Sequence, residues 1–318
     1  MLIVLASTSV VDSQPFNRLS IKAGVASVRS AIEAGGQQDL VRNDSALDTL
    51  PCSIDLDGTT PSPVTDFENS PVGITTSVRA VGVANLLPEL PVRLQSTRVQ
   101  LGPKASSNTL LAPGPVLFFV EDGSVTVYVE GSPVPLQLGE SRLIQMDGLY
   151  ALHNPSAETA TVLRLALVPL ESPDVPIANF RTPEVNDAPP PGPPPNVELL
   201  FRSEVDALPA GDARLFIACV GWTQAGADDV EHSHPGPVGL LVQDGTLIVD
   251  STTRLQADDC WMLQPDIPYR AHAESAVAEA VMFGVIPDGE ALWVPADPAS
   301  ASELSSSAAV LDLECGQP

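Results

Sequence analysis

Basic charge is what this chain has least of. Only two lysines, Lys22 and Lys104, stand among 15 basic residues, against 40 acidic ones, for a formal net charge of −25. A nucleic-acid backbone would be repelled by that field, and no basic stripe with interleaved aromatics exists to overcome it. An anionic membrane surface is disfavoured for the same reason, so the acidity reads as a solubility device. No apolar stretch approaches the length of a membrane span. Several catalytic signatures are missing as well: no Gly-rich phosphate loop followed by Lys and Ser or Thr, no G-x-G-x-x-G between a strand and a helix, no G-x-S-x-G elbow and no paired-Cys zinc pattern.

What remains is a chain of 318 residues that is 44% apolar, enough for a core, and carries 32 prolines. Prolines interrupt the Ala, Leu, Glu and Lys runs that long helices need, so the composition favours strands, turns and linkers and an all-β class. The length admits two ordinary domains or one large one. Four cysteines, Cys52, Cys219, Cys260 and Cys315, allow three pairings. Cys219 and Cys260 fall in expected core strands, where a buried free thiol is the commoner state. The first residues, Met1 to Ser9, look like the tail of a secretory signal without its basic n-region. An extracytoplasmic location is therefore expected, with a cytoplasmic one as the alternative.

Texture divides the chain. Residues 1–75 hold no sustained hydrophobic period and are expected to be an irregular or disordered leader, apart from a short helix around Ile21 to Ala34. From Val92 onward short apolar runs alternate with Gly, Pro and Asp-Gly turns, as in Val116 to Val120, Glu121-Asp-Gly123 and Val125 to Val129. These are hairpin signals. Between Pro183 and Pro195 seven prolines fall, which blocks helix and ladder alike and predicts an extended spacer. The expected organisation is a leader over 1–75, a first barrel over 76–180, a Pro-rich linker over 181–196, a second barrel over 197–290 and a peripheral tail over 291–318.

An internal repeat supports the two halves. Pro113 to Gly123 matches Pro235 to Gly245 at an offset of 122, with seven identities in eleven positions. Gln145 to His153 then pairs with Gln264 to His272 at an offset of 119, the change that a shortened loop would give. Two similar β-domains follow from the chain itself.

Inside the second copy stand His232 and His234, two of only four histidines in the chain. At i and i+2 on a strand, both imidazoles point to one face and could share an ion. The segment resembles the first motif of the cupin superfamily, G-x5-H-x-H-x3,4-E-x6-G, on Gly226, His232, His234 and Gly245. The family's second motif, G-x5-P-x-G-x2-H-x3-N, lies over Gly139, Gln145, Asp147, Tyr150 and Asn154 in the first copy. The resemblance implies a bicupin, two tandem jelly-roll-like barrels, with a divalent transition metal (Zn, Fe, Mn, Ni or Cu) held by the histidines and a glutamate. It also departs from the family. Val238 occupies the glutamate position, and by the repeat Tyr269 stands where the family's last histidine belongs. His272 lies three residues further on, and alternation turns it to the opposite face unless a bulge intervenes. The candidate metal residues are therefore His232, His234 and either Tyr269 or His272.

Transferred to the first copy, the same positions fall on Leu110, Ala112, Val116 and Tyr150, which predicts no ion there. Glu231 and Asp229 flank the histidine pair on its other face and read as solvated rim carboxylates. His153 and His272 occur at matching places in both copies, which favours a structural or rim role. Phe118, Phe119, Tyr128, Leu240 and Leu241 sit at strand spacing and read as core. Two functions of different class are open. One is a metal-dependent dioxygenase- or isomerase-like enzyme acting on a small molecule, and the other a non-catalytic small-ligand-binding or structural bicupin.

Overall fold

The computed structural model describes residues 74–171, 189–223, 231–274, 277–296 and 313–315. The expected helix near Ile21, nearly all of the leader, Gly226 and Asp229, and part of both linker and tail lie outside these residues. Every regular element described is a β-strand.

In the first half these are β1 (Ile74–Ala84), β2 (Val92–Leu101), β3 (Leu110–Leu111), β4 (Val116–Asp122), β5 (Ser124–Val129), β6 (Ser132–Gln137), β7 (Ser141–Ile144), β8 (Leu149–His153) and β9 (Ala160–Pro169). The second half adds β10 (Asn196–Val205), β11 (Ala213–Thr223), β12 (His232–Ser233), β13 (Val238–Asp244), β14 (Thr246–Val249), β15 (Thr253–Gln256), β16 (Cys260–Leu263), β17 (Ala271–Ala273) and β18 (Val277–Pro287). Two short strands, β19 (Val294–Pro295) and β20 (Leu313–Cys315), lie in the segment expected to be a peripheral tail.

The two halves repeat one topology. The large sheet of the first barrel runs β20-β10-β2-β9-β4-β7, and that of the second runs β1-β11-β18-β13-β16. Without β20, each strand of one has its counterpart in the other. The smaller sheets are β3-β8-β5-β6 in the first barrel and β15-β14-β17 with the β12-β19 pair in the second. The three-residue change of offset is traced to the hairpin, whose strands have six residues in β5 and β6 but four in β14 and β15.

The first strands are exchanged. β1 precedes the first barrel in sequence yet pairs with β11 of the second, and β10 opens the second half yet pairs with β2 of the first. β1 also escaped the sequence reading, which placed the first strand texture at Val92. The reason is visible in its burial: only Ile74, Ala80 and Ala84 of its eleven residues are buried, without alternation.

Three apolar layers follow. The first barrel is filled by a cluster including Val116, Phe118, Val120, Tyr150 and Leu152, and the second by one including Phe216, Val238, Leu240, Tyr269 and Trp293. Between the large sheets lies a third, with Leu117, Phe119, Leu215, Ile217, Phe283 and Val285. The central strands are thus covered on both faces, which is why Val116 to Val120 reads as an unbroken apolar run instead of an alternating one. Each fully buried Leu or Phe contributes about 1.5–3 kcal/mol, so this shared layer binds the halves strongly. Gly239 is needed there: a Cβ on it would stand 2.4 Å from the Phe201 ring, where the first copy has Leu117.

One sequence expectation is overturned in this layer. Cys219 and Cys260 are not free thiols; both are disulfide-bonded. The part of the Pro-rich stretch that is described is clipped to the first barrel. Ser106 N donates to Pro193 O at 2.9 Å and Ser106 Oγ to Pro190 O at 2.6 Å, while His153 Nδ1 sits 2.8 Å from the same Oγ.

Candidate functional site

The second barrel gathers three of the four candidate residues. β12 carries His232, whose backbone bridges that of Tyr269 through His232 N to Tyr269 O at 3.1 Å and Tyr269 N to His232 O at 2.8 Å. His234 follows, with its carbonyl accepting from Asp266 N at 2.8 Å. Asp266 has a φ of 59°, and its counterpart Asp147 has 64°, so both copies make the same left-handed bend before the tyrosine. His232, His234 and Tyr269 are all buried, at 1%, 0% and 5% exposure.

His234 is fully used. The Leu292 carbonyl, 2.7 Å from Nδ1, can only accept, so the ring proton sits on Nδ1. Nε2 is then the acceptor for the Tyr269 hydroxyl at 2.8 Å. Burial pushes the imidazole down to about 3; the Leu292 hydrogen bond opposes this and neighbouring His232 adds to it. His234 is accordingly neutral at ordinary pH.

Aromatic rings close around the pair. The Tyr269 and Trp293 rings lie 4.3 and 4.8 Å from that of His232, and Trp293 lies 4.9 Å from His234. Trp293 and Leu292 were missed by the sequence reading, which assigned 291–318 to a tail. The apolar run Leu292-Trp-Val294, holding one of only three tryptophans, was the available signal. Trp293 Nε1 is buried and has no hydrogen-bond partner among the described residues.

His272 is not part of this group. Its neighbours Ala271 and Ala273 belong to the barrel core, so alternation along β17 turns His272 to the other face. Glu231 also stays at the rim, half-buried and 3.4 Å from the exposed Arg270 guanidinium. His153, the first copy's counterpart of His272, contacts the linker clip described above.

The first barrel shows what the same positions do without histidine. Leu110 pairs with Tyr150 across β3 and β8, as His232 bridges Tyr269. Leu110, Ala112, Val116 and Tyr150 are all buried in the apolar core. Strand order, bridge and bend thus coincide in two copies. The chain is two tandem all-β barrels of one topology.

No family model matches this chain, and no curated protein matches it. Among solved structures, oxalate decarboxylase of Bacillus subtilis is 12% identical over 64% of this chain and 71% of its own, with a TM-score of 0.38. Vicilin of hazelnut, Corylus avellana, is 11% identical over 64% and 77%, at 0.40. Salicylate 1,2-dioxygenase of Pseudaminobacter salicylatoxidans is 14% identical over 60% and 70%, at 0.34.

Whether this site suits a metal is a question of its donor set. A divalent ion between the imidazoles would meet two histidines, a phenol and, at the position of the missing carboxylate, the buried side chain of Val238. With no carboxylate among the described residues beside Val238, Leu292 and Trp293, the only anionic donor such an ion could draw on is the Tyr269 phenol after loss of its proton. No group of three or more His, Cys, Asp or Glu side chains able to hold a metal exists among the described residues. The donors that the described residues bring together are two imidazoles and one phenol, without the carboxylate of the family motif.

Proposed function

We propose that this bicupin is a non-catalytic binding protein, with the second barrel as the receptor for a small molecule. The observation that carries this reading is the saturation of His234, whose two ring nitrogens are both engaged by Leu292 O and the Tyr269 hydroxyl. A catalytic metal would have to displace the tyrosine hydroxyl and would gain no carboxylate. A ligand has something to meet in the same place: the aromatic walls and the Trp293 N–H, a buried donor that an acceptor atom on a small molecule would satisfy.

The second reading is a metal-dependent dioxygenase- or isomerase-like enzyme using His232, His234 and Tyr269. One observation favours it: an imidazole anchored through Nδ1–H to a backbone carbonyl presents Nε2 inward, as metal-ligating histidines do.

One measurement separates the two. Metal content is determined on purified protein beside a His232→Ala/His234→Ala double variant. Metal-free wild-type protein is the expected result; stoichiometric metal that vanishes in the variant overturns the proposal. Ligand binding is then read by intrinsic fluorescence, since Trp222, Trp261 and Trp293 all belong to or pack on the second barrel's core.

A further inference from the structure

The first barrel holds a charge that nothing answers. Arg164 lies in β9 between Val162 and Ala166, each two positions away and each part of the first barrel's apolar core. The residues that alternate with it, Leu163 and Leu165, face the layer shared by the two barrels. Arg164 is thereby turned into the first barrel. It is 8% exposed, its Nε is buried without a hydrogen-bond partner, and no carboxylate among the described residues pairs with it.

The same wall carries a second unmet polar group. Thr97 of β2 stands directly opposite Arg164 in the antiparallel ladder, so the two side chains share a face. Thr97 is 3% exposed, and its Oγ1 is also without a partner among the described residues. On the other side of Arg164 stands Phe118 of β4, and beyond it Arg142 of edge strand β7. Arg142 is exposed, which leaves Arg164 as the buried cation of the row.

Packing does not call for either group. In the second barrel the corresponding row is Ala218, Met282 and Leu240, all of them core residues. The same wall of the same topology closes there with apolar side chains. A buried guanidinium without a counter-charge is costly, and a methionine in its place avoids that cost.

We propose that Arg164 and Thr97 form a binding site in the first barrel for a small monocarboxylate with an apolar body. A carboxylate offers two acceptors in the plane that the guanidinium fork matches, and the threonine hydroxyl can donate to the same group. One buried cation balances one negative charge; a doubly charged phosphate would leave its surplus among Val162, Ala166 and Phe118. Those same side chains suit a hydrocarbon body. The site uses neither the histidines of the second barrel nor their counterparts in the first.

The test is isothermal titration calorimetry of the full-length protein with acetate, butyrate and benzoate, beside benzamide and inorganic phosphate. At least one carboxylate should bind one to one, and benzamide and phosphate about tenfold or more weaker. Arg164→Met, which copies the second barrel, should weaken carboxylate binding by roughly 10- to 100-fold. Without ligand it should unfold at a higher temperature than the wild type, because an unpaired charge has left the interior. Thr97→Ala should weaken binding by about 2- to 10-fold. No binding of any of the three carboxylates, phosphate or benzamide binding as tightly, or carboxylate binding that survives both substitutions overturns the proposal. So does ligand-free Arg164→Met protein that is less stable than the wild type, since Arg164 would then serve the fold.

Discussion

The pH dependence of stability tests the site most directly, because His234 is held neutral by burial. In the unfolded chain an imidazole binds a proton below about pH 6.5. In the folded chain His234 does not until about pH 3. The folded pKa is depressed, so the stability contributed by the neutral ring is complete above the unfolded value and is lost as pH falls toward the folded one. Within that window the unfolded state holds one more proton, and stability drops by about 1.4 kcal/mol per pH unit. Over the whole window the loss is on the order of 5 kcal/mol.

His234→Asn isolates this contribution, since the amide can still donate toward Leu292 O but does not titrate. At neutral pH the variant should be less stable by about 1–3 kcal/mol, because the acceptor for the Tyr269 hydroxyl is gone. As pH falls from about 6.5 to about 4.5 only the wild type bears the proton-linked loss, so the gap should close by about 3 kcal/mol. Glu121, raised by burial against the opposing pull of Arg98, has the opposite sign, but it is common to both proteins and cancels in the difference. The assay is urea unfolding followed by tryptophan fluorescence, with chelator present throughout. A gap that stays constant across the window would refute the picture of a buried, neutral, doubly hydrogen-bonded His234.

Two further outcomes concern the frame around the site. Gly239→Ala places a Cβ 2.4 Å from Phe201 Cζ, and this overpacking should destabilise the protein by about 1–3 kcal/mol. Phe201→Leu in the same chain should relieve part of that cost, and a double-mutant cycle with simply additive losses would contradict the contact. Ser106→Ala removes the hydroxyl that bonds Pro190 O and meets His153. Stability should fall by about 1 kcal/mol, with faster protease cleavage within residues 181–196; an unchanged cleavage rate would show that this hydroxyl does not hold the linker.

The fold was legible because two signals agreed. The repeated Pro-Gly-Pro-Val and Asp-Gly segments fix the same strand and the same turn in each copy, and the apolar runs between them are long enough to pass through two cores. Strand exchange was not legible, since β1 and β10 adjoin their own barrels in sequence, and only tertiary pairing shows that each completes the other's sheet. The site was half legible. The spacing of His232 and His234 put both imidazoles in one interior, while the repeat left Tyr269 and His272 both open as the third member. Leu292 and Trp293 come from beyond the repeat, so no internal match could point to them. The state of Cys219 and Cys260 was missed because apolar strand neighbours suggest a buried free thiol.

The first barrel bears on why the second is polar. The same architecture closes around Leu110, Ala112, Val116 and Tyr150, with Phe118 set edge-on to the Tyr150 ring at 5.3 Å. Buried hydrogen-bonded groups can be replaced by apolar side chains of similar shape at little cost, because desolvation offsets most of what the bonds contribute. The first copy has apolar side chains at these positions, so the architecture itself does not depend on His232 and His234. Keeping them demands a carbonyl from Leu292 to orient one ring and a tyrosine hydroxyl to occupy it. It also leaves the indole N–H of Trp293 buried without an acceptor among the described residues. On the binding function proposed above, that N–H, which has no acceptor among the described residues, is the group that an acceptor atom on a molecule inside the barrel would meet.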